Sequence, residues 1–198
     1  MLKTIKLKNE GLALSRNSIG ETALHMMARK PYAISQGKQL NLFQRLANST
    51  FRGFFREAKM RTCAHQLVEE LWNVIVPLPV NEVSILLGSP SRLLFDAAQS
   101  GNVELLVILF RSYPDLIWKV DDKNRSLFHI AAINRHENIF NIIYELGTFK
   151  DLLAAYREKE SENNLLHLVA CLPPISRLQV VSGAALQMQR ELLWFKIR

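Results

Sequence analysis

The chain has 198 residues, 48% of them hydrophobic, and a net charge of +7 from 25 basic and 18 acidic residues. That apolar content can build a core and argues against global disorder; no apolar run approaches the ~20 residues needed to cross a bilayer, and the N-terminal MLKTIKLKNEGLAL has no apolar stretch of the kind a secretory signal needs. Cys63 and Cys171 are too few for a disulfide framework, which fits a reducing cytosol, and the positive charge suits acidic partners or an anionic membrane face, although a surplus of this size also serves plain solubility.

In chain order, residues 1–18 read as the tail of a helical unit, with Leu12 and Leu14 ending a helix before a turn. Gly20 supplies a left-handed position, Thr22 an N-cap, and Pro31 a stop, so 18–31 reads as a half-repeat. Glycines 37, 53 and 88 and prolines 77, 79 and 90 punctuate the next stretch, with helices expected at about 38–48, 54–76 and 80–87. From Ser91 a pattern returns: Arg92 stands in a capping slot, Val103 to Ser112 is a strongly apolar helix, and Tyr113-Pro114-Asp115 ends it. In the central unit, 118–147, Ser126 caps a short apolar helix and Asn134-Arg135-His136 makes a polar turn. Ile139, Phe140, Ile143 and Leu146 then stripe a second helix, which Gly147 closes. Arg157 to Glu162 is a charged exposed loop, Pro173-Pro174 breaks the chain, and Ser182 starts a closing helix with Ala185, Met188, Leu192 and Phe195 on one face.

Two short helices cannot bury their apolar faces alone, so the central unit requires stacked neighbours. Aligned on His129, Ser126-Leu127-Phe128-His129 matches Thr22-Ala23-Leu24-His25 and Asn164-Leu165-Leu166-His167, while Phe95 fills the histidine slot of a degenerate copy. Ala28, Ala98, Ala132 and Ala170 follow three residues after each slot, where a small side chain admits a neighbouring helix. The slots lie 34 and 38 residues apart from Phe95 to His129 to His167, bracketing the ~33-residue ankyrin period. The fold class is therefore an all-α ankyrin-type α-solenoid. Its expected segments are a partial repeat over 1–36, a helical spacer or decayed repeat over 37–90, repeats over 91–180, and a closing helix over 181–198. Asn124 and Glu162 take the glycine slot of their loops, and glutamate there predicts a strained or reshaped loop.

GETALH at 20–25, RSLFHIAA at 125–132 and NNLLHLVA at 163–170 resemble the ankyrin consensus. RSYPDLIWKVDD (111–122) and VSGAALQMQRELLWFK (181–196) resemble more specifically the plant ankyrin-repeat proteins whose C-terminal membrane domain carries a Pro-Gly-Gly motif. The resemblance implies that each repeat histidine hydrogen-bonds backbone and the capping residue, tying one loop to the next. It implies further that the chain is the cytosolic ankyrin part of a longer, plasma-membrane-tethered signalling or defence-type protein, with transmembrane helices expected after Phe195-Lys196.

No catalytic, cofactor-binding or metal site is expected. The repeat histidines lie ~10 Å apart per stacking step, far beyond a ~2 Å metal–nitrogen bond. His167 with Cys171, and Cys63 with His65, would have to converge from helices distant in sequence to hold zinc, without a paired Cys-x-x-Cys. No nucleophile elbow, zincin, P-loop or dinucleotide pattern occurs. The segment FRGFFREAKMR interleaves Arg52, Arg56, Lys59 and Arg61 with aromatic residues. A basic amphipathic helix of this kind suits a membrane surface or a calmodulin-like partner, or else simply packs its phenylalanines inward. The function expected is non-enzymatic binding of a protein partner. The alternatives are the regulatory part of a channel- or transport-related membrane protein and, less favoured, association with nucleic acid, which steep salt dependence of oligonucleotide binding would mark.

Overall fold

The computed structural model describes residues 10–31, 52–88, 92–180 and 182–197. Among them the chain is mostly helical and contains no strand; a lone antiparallel bridge joins Val120 to Ser126. No helix among the described residues is long and apolar enough to cross a membrane. The chain divides into two compact units, residues 1–114 and 115–198. That division falls inside the stretch 91–180 read from sequence as one array.

In the first unit, α1 (Glu10–Leu14) and α2 (Ala23–Ala28) are short. Gly20 between them takes φ 86°, the left-handed value its position requires. A long α3 (Arg52–Ile75) follows, where 54–76 was expected, and Pro77 and Pro79 separate it from α4 (Val80–Gly88). The helix expected at 38–48 lies outside the described residues. Then come α5 (Leu93–Ser100) and α6 (Val103–Ser112). Gly101, at φ 85°, turns the chain between them, and Asn102 caps α6 by accepting from the Leu105 amide at 3.3 Å.

These helices pair in a way that the sequence reading missed. Helix α2 packs directly on α5, across more than sixty residues of chain, while α3 packs on α1, α2 and α6. Val68, Leu71, Trp72 and Ile75 are buried on the inner face of α3, and the Trp72 indole donates to Ser112 Oγ at 3.0 Å and meets Tyr113 edge-on. The stretch read as a helical spacer or a decayed repeat therefore supplies the second helix beside α2, and the pairs α2–α3 and α5–α6 lie side by side. Polar groups secure the seam. The Asn102 side-chain amide donates to the carbonyls of Met27 and Ala28 (3.0 and 3.1 Å), and Ser100 Oγ donates to Ala28 O at 2.7 Å. These are the orphan carbonyls at the end of α2, which need partners once buried. Arg29 bridges Glu21 (2.5 Å) and Asp96 (2.9 Å), and its hydrogen bond holds the Glu21 carboxyl below the ordinary range.

In the second unit, α7 (Leu127–Ile133) is buried along nearly its whole length. The expected second helix is α-helical only as α8 (Glu137–Phe140) and continues as a 3-10 turn over Asn141–Leu146, keeping Ile139, Phe140 and Ile143 inside. The tighter turn is a common ending for a short helix. Gly147, at φ 58°, leads into α9 (Phe149–Ala155), a helix not anticipated from sequence, which fills the longer interval between the histidine slots. Next are α10 (Leu165–Ala170), a single turn α11 (Ile175–Leu178) after Pro173-Pro174, and α12 (Ala184–Ile197). Helix α10 packs on α7, α9 and α12.

One expectation is reversed here. Met188, Leu192 and Phe195 of α12 are all more than half exposed, and Ala185 is exposed too, whereas Trp194 is the side chain buried. The helix is rotated so that Glu191 and Trp194 face inward. The cause is Arg135, whose side chain is 4% exposed: it donates from Nε and Nη2 to Glu191 Oε2 (2.9 and 2.8 Å) and lies 5.2 Å from the Trp194 ring centre. A buried guanidinium must be paired, and this pairing sets the phase of α12 against its own apolar stripe.

Candidate functional site

A histidine capping box forms at each of the three aligned positions, but the outer nitrogens meet three different fates. At each N-cap the backbone is extended, and the backbone amides of Thr22, Ser126 and Asn164 each donate to the histidine Nδ1 at 3.3 Å. The hydroxyls of Thr22 and Ser126 reach the same nitrogen at 2.9 and 2.7 Å, and the Asn164 side chain accepts from the His167 amide at 3.1 Å. His129 Nε2 contacts the Tyr156 carbonyl at 3.0 Å. A carbonyl only accepts, so Nε2 carries the proton and Nδ1 is left as the acceptor for Ser126. His129 is thus neutral and ties its helix to the next loop, as the resemblance implied. Burial pushes its pKa down, against the opposing pull of the Tyr156 carbonyl and the charges of Glu158 and Asp121.

His25 departs from that pattern: it is fully buried, burial likewise lowers its pKa, and its Nε2 has no partner among the described residues. His167 is exposed. The small-residue slots split in the same way. Ala28, Ala98 and Ala132 are fully buried, whereas Ala170 is exposed, so among the described residues no helix makes the close approach to α10 that its alanine would admit.

The hairpin-like tips are what these boxes hold in place. In the first, the Asp121 amide donates to Arg125 O (3.0 Å), and Asp121 Oδ1 accepts from the amides of Lys123 and Arg125 (3.0 and 2.8 Å). Asn124 sits at φ 62°, a region Asn tolerates. Burial works to raise the Asp121 pKa, but the hydrogen bonds and charge of Arg125 outweigh it and leave the carboxyl below its ordinary range. In the second tip the Glu158 amide donates to Asn163 O at 3.0 Å, Ser161 bonds Glu158, and Glu162 takes φ 54°, the strained conformation its slot predicted.

The two tips are hydrogen-bonded side by side. The Lys159 amide donates to Lys123 O (2.8 Å), the Asn124 side chain to Arg157 O (3.0 Å), the Tyr156 hydroxyl to Asn124 Oδ1 (2.5 Å), and Lys123 pairs with Glu160 at 3.0 Å. Between them Asp121, Asp122, Asn124, Arg157, Glu158, Lys159 and Glu162 line an open polar cleft of about 500 Å3.

No family model, curated protein or solved structure matches this chain.

Among the described residues no group of three or more His, Cys, Asp or Glu side chains could hold a metal ion. His65 faces Glu69 at 3.3 Å, and the side chain of Cys63 lies outside the described residues. Arg52, Arg56, Lys59 and Arg61 fall on the first turns of α3, but their side chains too lie outside the described residues. Sequence reasoning placed Arg135 in a polar turn and missed its buried pairing with Glu191. Arg135 takes φ 57° and also donates to Ala132 O (2.8 Å) and Cys171 O (2.5 Å). Its slot was readable, because it stands 34 residues after Gly101, the left-handed turn residue of the preceding pair.

Proposed function

We propose that the chain is a non-enzymatic binding module of ankyrin type, in which short helix pairs stack and their hairpin tips dock a protein partner. The observation that carries this reading is the ladder joining the two tips. Lys159 N–H to Lys123 O, Asn124 to Arg157 O and His129 to Tyr156 O fix the backbones while Lys123, Lys159 and Glu160 point their charges outward. A preordered surface of this kind loses little entropy on association. The resemblance to plant ankyrin proteins with a Pro-Gly-Gly membrane domain supports a cytosolic face of a membrane-tethered signalling or defence-type protein as the setting.

The test is affinity capture from plant extract with the full chain and with a Lys123→Glu, Lys159→Glu, Glu160→Lys variant, each checked for an unchanged helical melt. A partner retained by the native chain and lost by the variant supports the reading. The same catch with both chains sinks it.

A further inference from the structure

The turn that opens α8 holds a contact with a chemistry of its own. Arg177, on α11, donates from Nη2 to His136 Nε2 at 2.6 Å. A guanidinium keeps its protons at every physiological pH and can only donate. The contact therefore exists only while His136 Nε2 is unprotonated and the ring is neutral. A second proton on the ring would turn the acceptor into a donor and set two cations face to face.

The surroundings sharpen that choice. Arg190 of α12 donates from Nη1 to Arg177 O at 3.2 Å and brings a further basic group to the pair. In the turn itself Arg135 precedes the ring and Glu137 follows it. Arg135 is bound to Glu191 of α12, and Glu137 is exposed, where water and salt screen its charge. Helix α7, on which α8 packs, carries one titratable side chain, His129, and its Nε2 is engaged by Tyr156 O. On α10 the titratable group is His167, which is exposed.

What the pair holds is α11. This single turn buries none of its side chains, and its amides at Arg177, Leu178 and Gln179 donate back to Pro174 O and Ile175 O within the turn. Its neighbours are anchored independently: α10 packs on α7 and α9, and Glu191 ties α12 to Arg135. Helix α11 can thus loosen while both stay in place. Leu178 also lines an open groove of about 470 Å3 together with Val169, Met188 and Leu192, so one wall of that groove moves with it. We infer that His136 and Arg177 form a pH-operated latch, closed on a neutral imidazole and opened by its protonation, which frees α11 and reshapes the groove beside it. The sign follows from linkage: the closed form excludes a proton that the open form accepts. Closure is complete above the ordinary imidazole range, near pH ~6.5, and is lost as pH falls below it.

The experiment is 15N relaxation of the full chain at about pH 7.5 and about pH 5.5, either side of the imidazole range. In the native chain the order parameters of the Leu178 and Gln179 amides should fall from near ~0.85 to below ~0.6 as the pH is lowered. Those of α7 should stay near ~0.85, which separates opening of the latch from a general loss of stability in acid. His136→Gln keeps an acceptor that does not titrate and should hold α11 ordered at both pH values. Arg177→Leu removes the donor and should leave α11 loose at both. Native values that do not change with pH overturn the inference. So does a His136→Gln chain that loosens as the native one does, which assigns the change to other groups. An Arg177→Leu chain still ordered at the higher pH overturns it as well, since something other than the pair then holds α11.

Discussion

His129 and His167 share a cap and differ in everything outside it. Both accept from the backbone amide at their N-cap through Nδ1, but only His129 is buried and reaches a carbonyl of the next loop. Replacing His129 with alanine removes a fully buried ring and leaves the Tyr156 carbonyl and the buried Ser126 hydroxyl short of a partner, which should cost about 1–3 kcal/mol. His167→Ala removes an exposed ring and should stay within about 0.5 kcal/mol of the native chain in urea unfolding. The same chemistry sets a pH dependence. Burial holds the His25 and His129 pKa values below the ordinary ~6.5, so below that pH the unfolded chain binds protons that the folded chain refuses. Stability from these groups is complete above about pH 6.5 and declines as pH falls. The lowered carboxylates Asp121 and Glu21 add their own loss only at lower pH, below the ordinary carboxylate range. Unfolding measured from pH 8 to 5 should therefore show a decline that is shallower in His129→Ala. A decline of the same slope in native and variant chains would remove His129 from the account.

At the scale of the helix, α12 shows where sequence periodicity stops being informative. Its stripe at 185, 188, 192 and 195 is genuine in spacing, yet the structure buries Trp194 and pairs Glu191 with Arg135 instead. Truncating Trp194 to alanine should cost roughly 3–5 kcal/mol, whereas Leu192→Ala, on the exposed side, should change stability by less than about 0.5 kcal/mol. Denaturant titration of the two variants decides it, and comparable losses would restore the stripe to the core. Local signals were legible where one residue decides the local outcome: Gly20 and Asn124 at positive φ, Ser126 and Thr22 at caps, and the bounds of α6. Long-range choices were not. That α3 would pair with α2, against the Ser112 and Tyr113 end of α6, depends on Trp72 meeting groups some forty residues away. No period in the sequence encodes that distance. The hairpin-tip cleft was half legible, since the charged loop 157–162 was expected exposed, whereas its bonding to Lys123 and Asn124 runs through backbone groups that every sequence possesses.

Across the molecule, two compact units have a consequence that a single core lacks: each is stabilised by its own contacts, so damage stays near its origin. The described contacts divide the chain into residues 1–114 and 115–198, which makes the point measurable. Ile75, fully buried on α3, belongs to the first unit, and α7, with six of its seven residues buried, is the best-packed helix of the second. Ile75→Ala opens a cavity costing about 2–5 kcal/mol. In hydrogen exchange the amides of α2 and α6, which pack on α3, and those of α5, which packs on α2 and α6, should lose protection, while those of α7 keep theirs. Within the second unit α11, which buries none of its side chains, should exchange faster than α7 in both chains. If Ile75→Ala instead speeds exchange equally in α5 and α7, the two units unfold as one cooperative body. Loss of packing on α3 would then be felt through the whole chain, which would melt as a single domain rather than as two separable units.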